Sequence, residues 1–190
     1  MRVTTWTLDM REPPTGAARP LPAGVRLERA ASMTPEYARF LYGLVGGPWR
    51  WVDRLAWSRR EWSDDLEVPG TEFRILYGEG LPLGYTHLQP LVVDGATRVE
   101  IRYFGVAEQA IGRGLGGPLL EHAIRAAWTL PERADLPAVQ RVWVHTCSLD
   151  GPAALANYQA RSLVIRATEV TDEAVPDAPL GAWISTGGTA

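Results

Sequence analysis

Apolar and polar positions change period several times along this chain. Residues 3–8 alternate enough to predict a short strand. Val25-Arg26-Leu27-Glu28-Arg29 alternates as a half-buried strand should. Residues 11–22 between them are rich in Pro and Ala and predict an irregular connection. Tyr37, Phe40, Leu41 and Leu44 then recur at helical spacing. Ser32 or Thr34 caps that helix, Pro35 suits its first turn, and Gly46-Gly47-Pro48 ends it. Ser58-Arg59-Arg60-Glu61 is a capping box for a second short helix carrying Trp62 and Leu66, closed by Pro69-Gly70.

A period of two returns over residues 72–77, 83–89 and 97–106. A Gly-Glu-Gly-Leu-Pro turn and Asp94-Gly95 join these strands. Simple alternation puts Val99, Ile101 and Tyr103 on one face of the last strand and Glu100, Arg102 and Phe104 on the other. Leu115, Leu119, Leu120, Ala123, Ile124 and Ala127 form a helical stripe, with Pro118 in the first turn where its missing N–H costs little. Residues 129–140 read as a loop and 142–146 as a strand. Asp150 and Pro152 open a helix over 153–161. Strands at 163–170 and 181–185 and a frayed tail at 187–190 complete the chain. This order predicts a mixed α/β, or α+β, fold with one central sheet. It also predicts a single domain over 1–190, of which 1–24 is an N-terminal strand and connection.

Composition narrows the function. A chain of 190 residues can bury a core without disulfides. One Cys and three scattered His argue against a Cys-rich or His-rich metal site. A net charge of −3 offers no basic footprint for nucleic acid and no attraction to an anionic membrane. No apolar run approaches the roughly 20 residues that span a bilayer, and the N-terminus lacks a signal-peptide pattern. These features predict a cytoplasmic protein. Every one of the 19 basic residues is Arg, which with abundant Ala, Gly and Pro points to a GC-rich bacterial genome.

The chemistry centres on Glu108-Gln109-Ala110-Ile111-Gly112-Arg113-Gly114-Leu115-Gly116-Gly117. A glycine turn between a strand and a helix presents backbone N–H groups beside the positive end of a helix dipole, a cradle for phosphate. Gly112 and Gly114 can take φ > 0, and Arg113 adds a fork of donors. The Walker form needs a Lys, which this chain lacks. Gly112-x-Gly114-x-x-Gly117 matches a dinucleotide fingerprint. It lies past mid-chain, however, and Glu132, near the offset of the ribose-binding acid, falls in a loop.

The Gln109-x-x-Gly112-x-Gly114 spacing, its strand–loop–helix setting and the stretch 142–158 resemble the GNAT N-acetyltransferase family, most closely over residues 81–167. The resemblance implies a mostly antiparallel twisted sheet, with two neighbouring strands splayed into a coenzyme A cleft. It implies that Gln109, Gly112, Arg113, Gly114, Leu115 and Gly116 hold the pyrophosphate of acetyl-CoA. The pantetheine arm would follow Phe104, Gly105 and Val106, with Asn157 as a partner. A free main-chain N–H there would polarise the thioester carbonyl. Glu100 is the candidate base for an ammonium acceptor, acting through a water, with an ion pair to Arg98 or Arg102 as the alternative. Tyr158 matches the position of the family's tyrosine acid; a packed aromatic is the alternative. Ser162-Leu163 departs from the glycine and aromatic that often follow this helix.

Two readings stay open beside that one. His145, Cys147 and Asp150 could form a Cys–His acyl-transfer site of ping-pong type, or a packed thiol and a bonded histidine. An acyl-CoA sensor without turnover is a further alternative. Trp49, Trp51, Trp57 and Trp62, with Tyr37, Tyr42 and Asp53, could hold a primary amine acceptor, pack as core or form a homodimer contact.

Overall fold

The computed structural model describes residues 1–181. The strand expected at 181–185 falls almost wholly outside these residues, and the tail at 187–190 does so entirely. Seven strands form one sheet: β1 (Arg2–Met10), β2 (Val25–Arg29), β3 (Glu72–Gly78), β4 (Leu81–Val93), β5 (Ala96–Val106), β6 (Val139–Cys147) and β7 (Val164–Asp172). Four α-helices flank it: α1 (Pro35–Gly46), α2 (Arg59–Leu66), α3 (Gly116–Trp128) and α4 (Ala154–Gln159). The fold is α+β, and its sheet is antiparallel except where β5 meets β6.

Local chemistry sets most of these boundaries. Thr34 accepts from the N–H of Tyr37 to cap α1, and the Ser58–Glu61 box caps α2 reciprocally. Glu79-Gly80 and Asp94-Gly95 all have positive φ, as two-residue hairpin turns that follow the strand twist require. Ser162 sits at φ 64° after α4, the strained C-terminal turn that the departure from glycine forecasts. Among the described residues no helix is long and apolar enough to cross a membrane.

The strand order is β2-β3-β4-β5-β6-β1-β7. The N-terminal strand is thus inserted between β6 and β7, antiparallel to both, with Leu8 opposite Val144 on one side and Ile165 on the other. Asp9, wholly buried on β1, receives hydrogen bonds from Arg141 Nε on β6 at 2.8 Å and Arg166 Nε on β7 at 2.7 Å. One carboxylate therefore ties three strands together.

Two apolar layers sandwich the sheet. On one side α3 and α4 cover Leu8, Leu88, Val99, Ile101, Val142 and Val144. On the other, α1 and α2 cover Phe73, Ile75 and Tyr85. α1 is rotated from the expected stripe: Ala38, Leu41, Tyr42 and Val45 point inward, and Phe40 is half exposed. The helix is apolar around much of its circumference, so spacing alone did not single out the inward face.

The alternation expected for β5 fails at one residue. Ile101 pairs with Leu88 and Tyr103 with His87, so Arg102 is an extra residue in a β-bulge. The bulge reverses the facing beyond it. Tyr103 joins Glu100 and Arg102 on the α1–α2 side, where it packs on Tyr42 and Trp51. Phe104 turns to the α3–α4 side and meets Tyr158 edge to face.

Candidate active site

β5 and β6 pair from Thr97 opposite Val139 only as far as Glu100 opposite Trp143. Beyond that point β5 continues to Val106 and β6 to Cys147 with no pairing between them. A cavity of about 1050 Å3 opens into this gap. Ile101 to Val106 line one side and Val144 to Cys147 the other. Gly105 lets α1 come close: a Cβ there would lie 2.6 Å from Val45 Cγ1.

At one end the cavity reaches the glycine turn. Gly112 and Gly114 have φ of 80° and 71°, with open space where a side chain would point, so backbone conformation and not crowding requires glycine. The N–H groups of Ile111 and Arg113 are taken by the carbonyls of Glu108 and Ala110. Among the described residues, those of Gly112, Gly114 and Leu115 have no main-chain partner. Gly112, Gly114, Leu115 and Gly116 line the cavity, as do Phe104, Gly105, Val106 and Asn157. Gln109 and Arg113 are exposed and lie off its wall. The open amides beside the start of α3 can donate to an anion, and the unpaired strand edges leave main-chain donors and acceptors facing the cavity.

Tyr158 on α4 lines the cavity. Burial first, and then the charge of Asp150, push its phenol well above the ordinary tyrosine value. It stays protonated at any working pH and is free to donate, since among the described residues its hydroxyl has no partner.

Glu100 is set back from the cavity, and His145 stands on the wall instead. Glu100 Oε1 lies 3.1 Å from His145 Nδ1. The other oxygen, Oε2, is 3.6 Å from Arg102, which Asp65 also holds at 2.9 Å. The bond to Glu100, aided by the charge of Asp150 and opposed by burial and Arg102, raises the His145 pKa. Alternation put Glu100 on a plausible face, but only the register with β6 shows a histidine between it and the cavity.

The far end is aromatic and acidic. Trp49, Trp51, Tyr42, Asp53 and Asp150 line it. The Trp51 ring lies against Gly46, where any Cβ would collide with it. Its Nε1 donates to Asp150 Oδ1 at 3.2 Å, and Thr146 Oγ1 and the Cys147 N–H donate to Asp150 Oδ2. Arg50 also lines this end, with its guanidinium donating to the carbonyls of Pro176 and Asp177. Trp57 lies off the cavity wall: it packs on Trp62 and beneath the Arg54 guanidinium, 3.8 Å from its ring centre. Trp62 is core.

Cys147 reaches the cavity, but burial first, then Asp150 and Asp53, push its thiol up. A nucleophilic cysteine needs the opposite shift. His145, its proposed partner, is engaged by Glu100. Sequence reasoning grouped Asp150 with His145 and Cys147 but gave it no part in holding Thr146 or Trp51, the latter a contact that joins distant segments. It also missed Arg19 and Arg161, which reach the cavity from distant segments.

No protein-family model and no curated protein matches the sequence. Solved structures do share the fold. A GCN5-related N-acetyltransferase from Sphaerobacter thermophilus superposes with a TM-score of 0.58 at 16% identity, over 88% of this chain and 50% of that one. One from Kribbella flavida gives 0.57 at 19%, over 88% and 56%. An aminoglycoside acetyltransferase from an uncultured soil metagenomic sample, in complex with trehalose, gives 0.56 at 15%, over 73% and 87%. The chain spans about half the length of the first two. It has the fold of the GCN5-related N-acetyltransferases, as the glycine turn and the stretch after it forecast.

Proposed function

We propose that this protein is an acetyl-CoA-dependent N-acetyltransferase in which the acceptor amine attacks directly in a ternary complex. One observation carries the reading. A single cavity joins an unpaired β5–β6 seam to main-chain amides that the protein leaves open at Gly112, Gly114 and Leu115. Acetyl-CoA would supply the activated acyl group. The open amides would hold its diphosphate, and the freed edge of β5 at Phe104 to Val106 would take its amide-bearing arm. Asn157 lies beside that arm.

The remaining roles follow from position. An amine near pH 7 is an ammonium, because its ordinary pKa is about 10. Asp53 and Asp150, with the faces of Trp49 and Trp51, suit a cation with apolar surface. The proton passes to His145, which touches the cavity, and Glu100 behind it orients the ring and stabilises its charge. Tyr158 donates a hydrogen bond to the sulfur as negative charge builds there. Its raised pKa makes full proton transfer uphill. The fold shared with an aminoglycoside acetyltransferase supports a small, polyamine-like acceptor.

Calorimetry with acetyl-CoA, followed by thiol-release assays over aminoglycosides and arylalkylamines, tests the proposal. Binding in the micromolar range and release of thiol with at least one cationic amine are expected. Absence of binding at millimolar acetyl-CoA refutes it. Binding without turnover across the panel favours the sensor.

A further inference from the structure

The end of the cavity beyond the glycine turn holds two guanidiniums from distant parts of the chain. Arg19 belongs to the irregular segment between β1 and β2, and Arg161 follows α4. Both lie across Gly117, where a Cβ would collide with each of them.

Glu121 on α3 organises the pair. Its Oε1 is 2.7 Å from Arg19 Nη2 and 3.2 Å from Arg161 Nη2, and its Oε2 accepts from the Arg19 main-chain N–H at 2.9 Å. Two positive charges share one negative charge, so the cluster carries an excess positive charge at the cavity wall. Arg161 is largely committed: Nε donates to the Gly117 carbonyl and Nη1 to the Asn157 carbonyl and side chain, and it is 14% exposed. Arg19 is open: Nε and Nη2 face Glu121, Nη1 has no partner among the described residues, and the side chain is 57% exposed. The segment that delivers Arg19 is pinned to α3, with His122 Nε2 3.3 Å from the Arg19 carbonyl and Arg125 donating to the Thr15 carbonyl.

We propose that Arg19, backed by Arg161, is a second anionic subsite that takes a phosphate monoester of the same ligand whose diphosphate occupies the glycine turn. This rests on the coenzyme A reading, under which the monoester is the ribose 3′-phosphate. A monoester carries about −1.5 to −2 charges at neutral pH and presents oxygens that suit a guanidinium fork. The site then selects free coenzyme A over ligands that carry the same arm and diphosphate without that phosphate.

Calorimetry with coenzyme A and 3′-dephospho-coenzyme A, on wild type and Arg19→Gln, tests this. Wild type is expected to bind coenzyme A about tenfold or more tighter than the dephospho form. Arg19→Gln is expected to bind both as wild type binds the dephospho form. Adenosine 3′,5′-bisphosphate should displace coenzyme A from wild type and lose that ability in the variant. Equal wild-type affinities overturn the subsite and leave the coenzyme A reading standing. A preference kept by Arg19→Gln also overturns it. Binding of neither ligand overturns both. Arg19 is exposed, and an unchanged melting temperature confirms that the variant is folded.

Discussion

Glu100 and His145 meet at 3.1 Å, Oε1 to Nδ1, beside the last rung of the β5–β6 ladder. The pairing raises the histidine pKa, and only the neutral ring can take a proton. Acetylation should therefore rise with pH through a value above the ordinary histidine value of about 6.5. Glu100→Gln removes the acceptor and should move that acid limb to lower pH. His145→Gln should remove the limb and lower kcat by about 10²–10⁴. A limb that stays put in Glu100→Gln would dismiss the pair. The same linkage has a stability sign. The pair's contribution is full below about pH 6.5 and fades as pH rises through the raised folded value.

Tyr158 faces the same gap from the other side of the sheet. Its phenol is held up by burial and Asp150, so it contributes no alkaline limb below about pH 10. Tyr158→Phe keeps the ring against Phe104 and loses only the donor. We expect kcat to fall by roughly 10²-fold or more, with acetyl-CoA affinity by calorimetry within a factor of about two. Loss of binding instead would make Tyr158 a structural residue.

Cys147 gives the opposite expectation. Its thiol is pushed up by burial and by Asp150, so it supplies little thiolate. Cys147→Ala should turn over within about twofold of wild type. Mass spectrometry should find no acetyl group on the protein after incubation with acetyl-CoA alone. A stable acetyl-cysteine would restore the two-step route.

Asp9 carries a prediction about the fold. Burial alone would raise its pKa; the bonds from Arg166 and Arg141 outweigh burial and hold it below the usual carboxylate value. Its stabilisation is present above about pH 4 and is lost as pH falls through the lowered folded value. Asp9→Asn leaves two arginines facing an uncharged amide in the β6–β1–β7 strip. It should cost about 3–5 kcal/mol in urea denaturation at pH 7. A change under about 1 kcal/mol would show that the strip stands on its pairing alone.

Much of this site was legible because its parts are local. The positive φ of Gly112 and Gly114, the Thr34 cap, the Ser58–Glu61 box and the α3 stripe each depend on residues a few positions apart. Other parts depend on partners far along the chain. The bulge at Arg102 exists only relative to β4, and it reversed the faces of Tyr103 and Phe104. Trp57 carries the same aromatic signal as Trp51, yet Trp51 lines the cavity because Gly46 lets its ring settle there.

By itself the chain determined its turns, its caps, the order of its helices and strands, and the amide-rich bend at residues 109–117. These follow from backbone sterics and hydrogen bonding within short segments. Only the tertiary structure decided that β1 lies between β6 and β7, that His145 screens Glu100 from the cavity, and that Arg19 crosses Gly117 beside Arg161. Each of these joins segments far apart in the chain. Their pairing depends on which buried surfaces and charges fit together once the sheet has formed, and no short stretch of sequence encodes that fit.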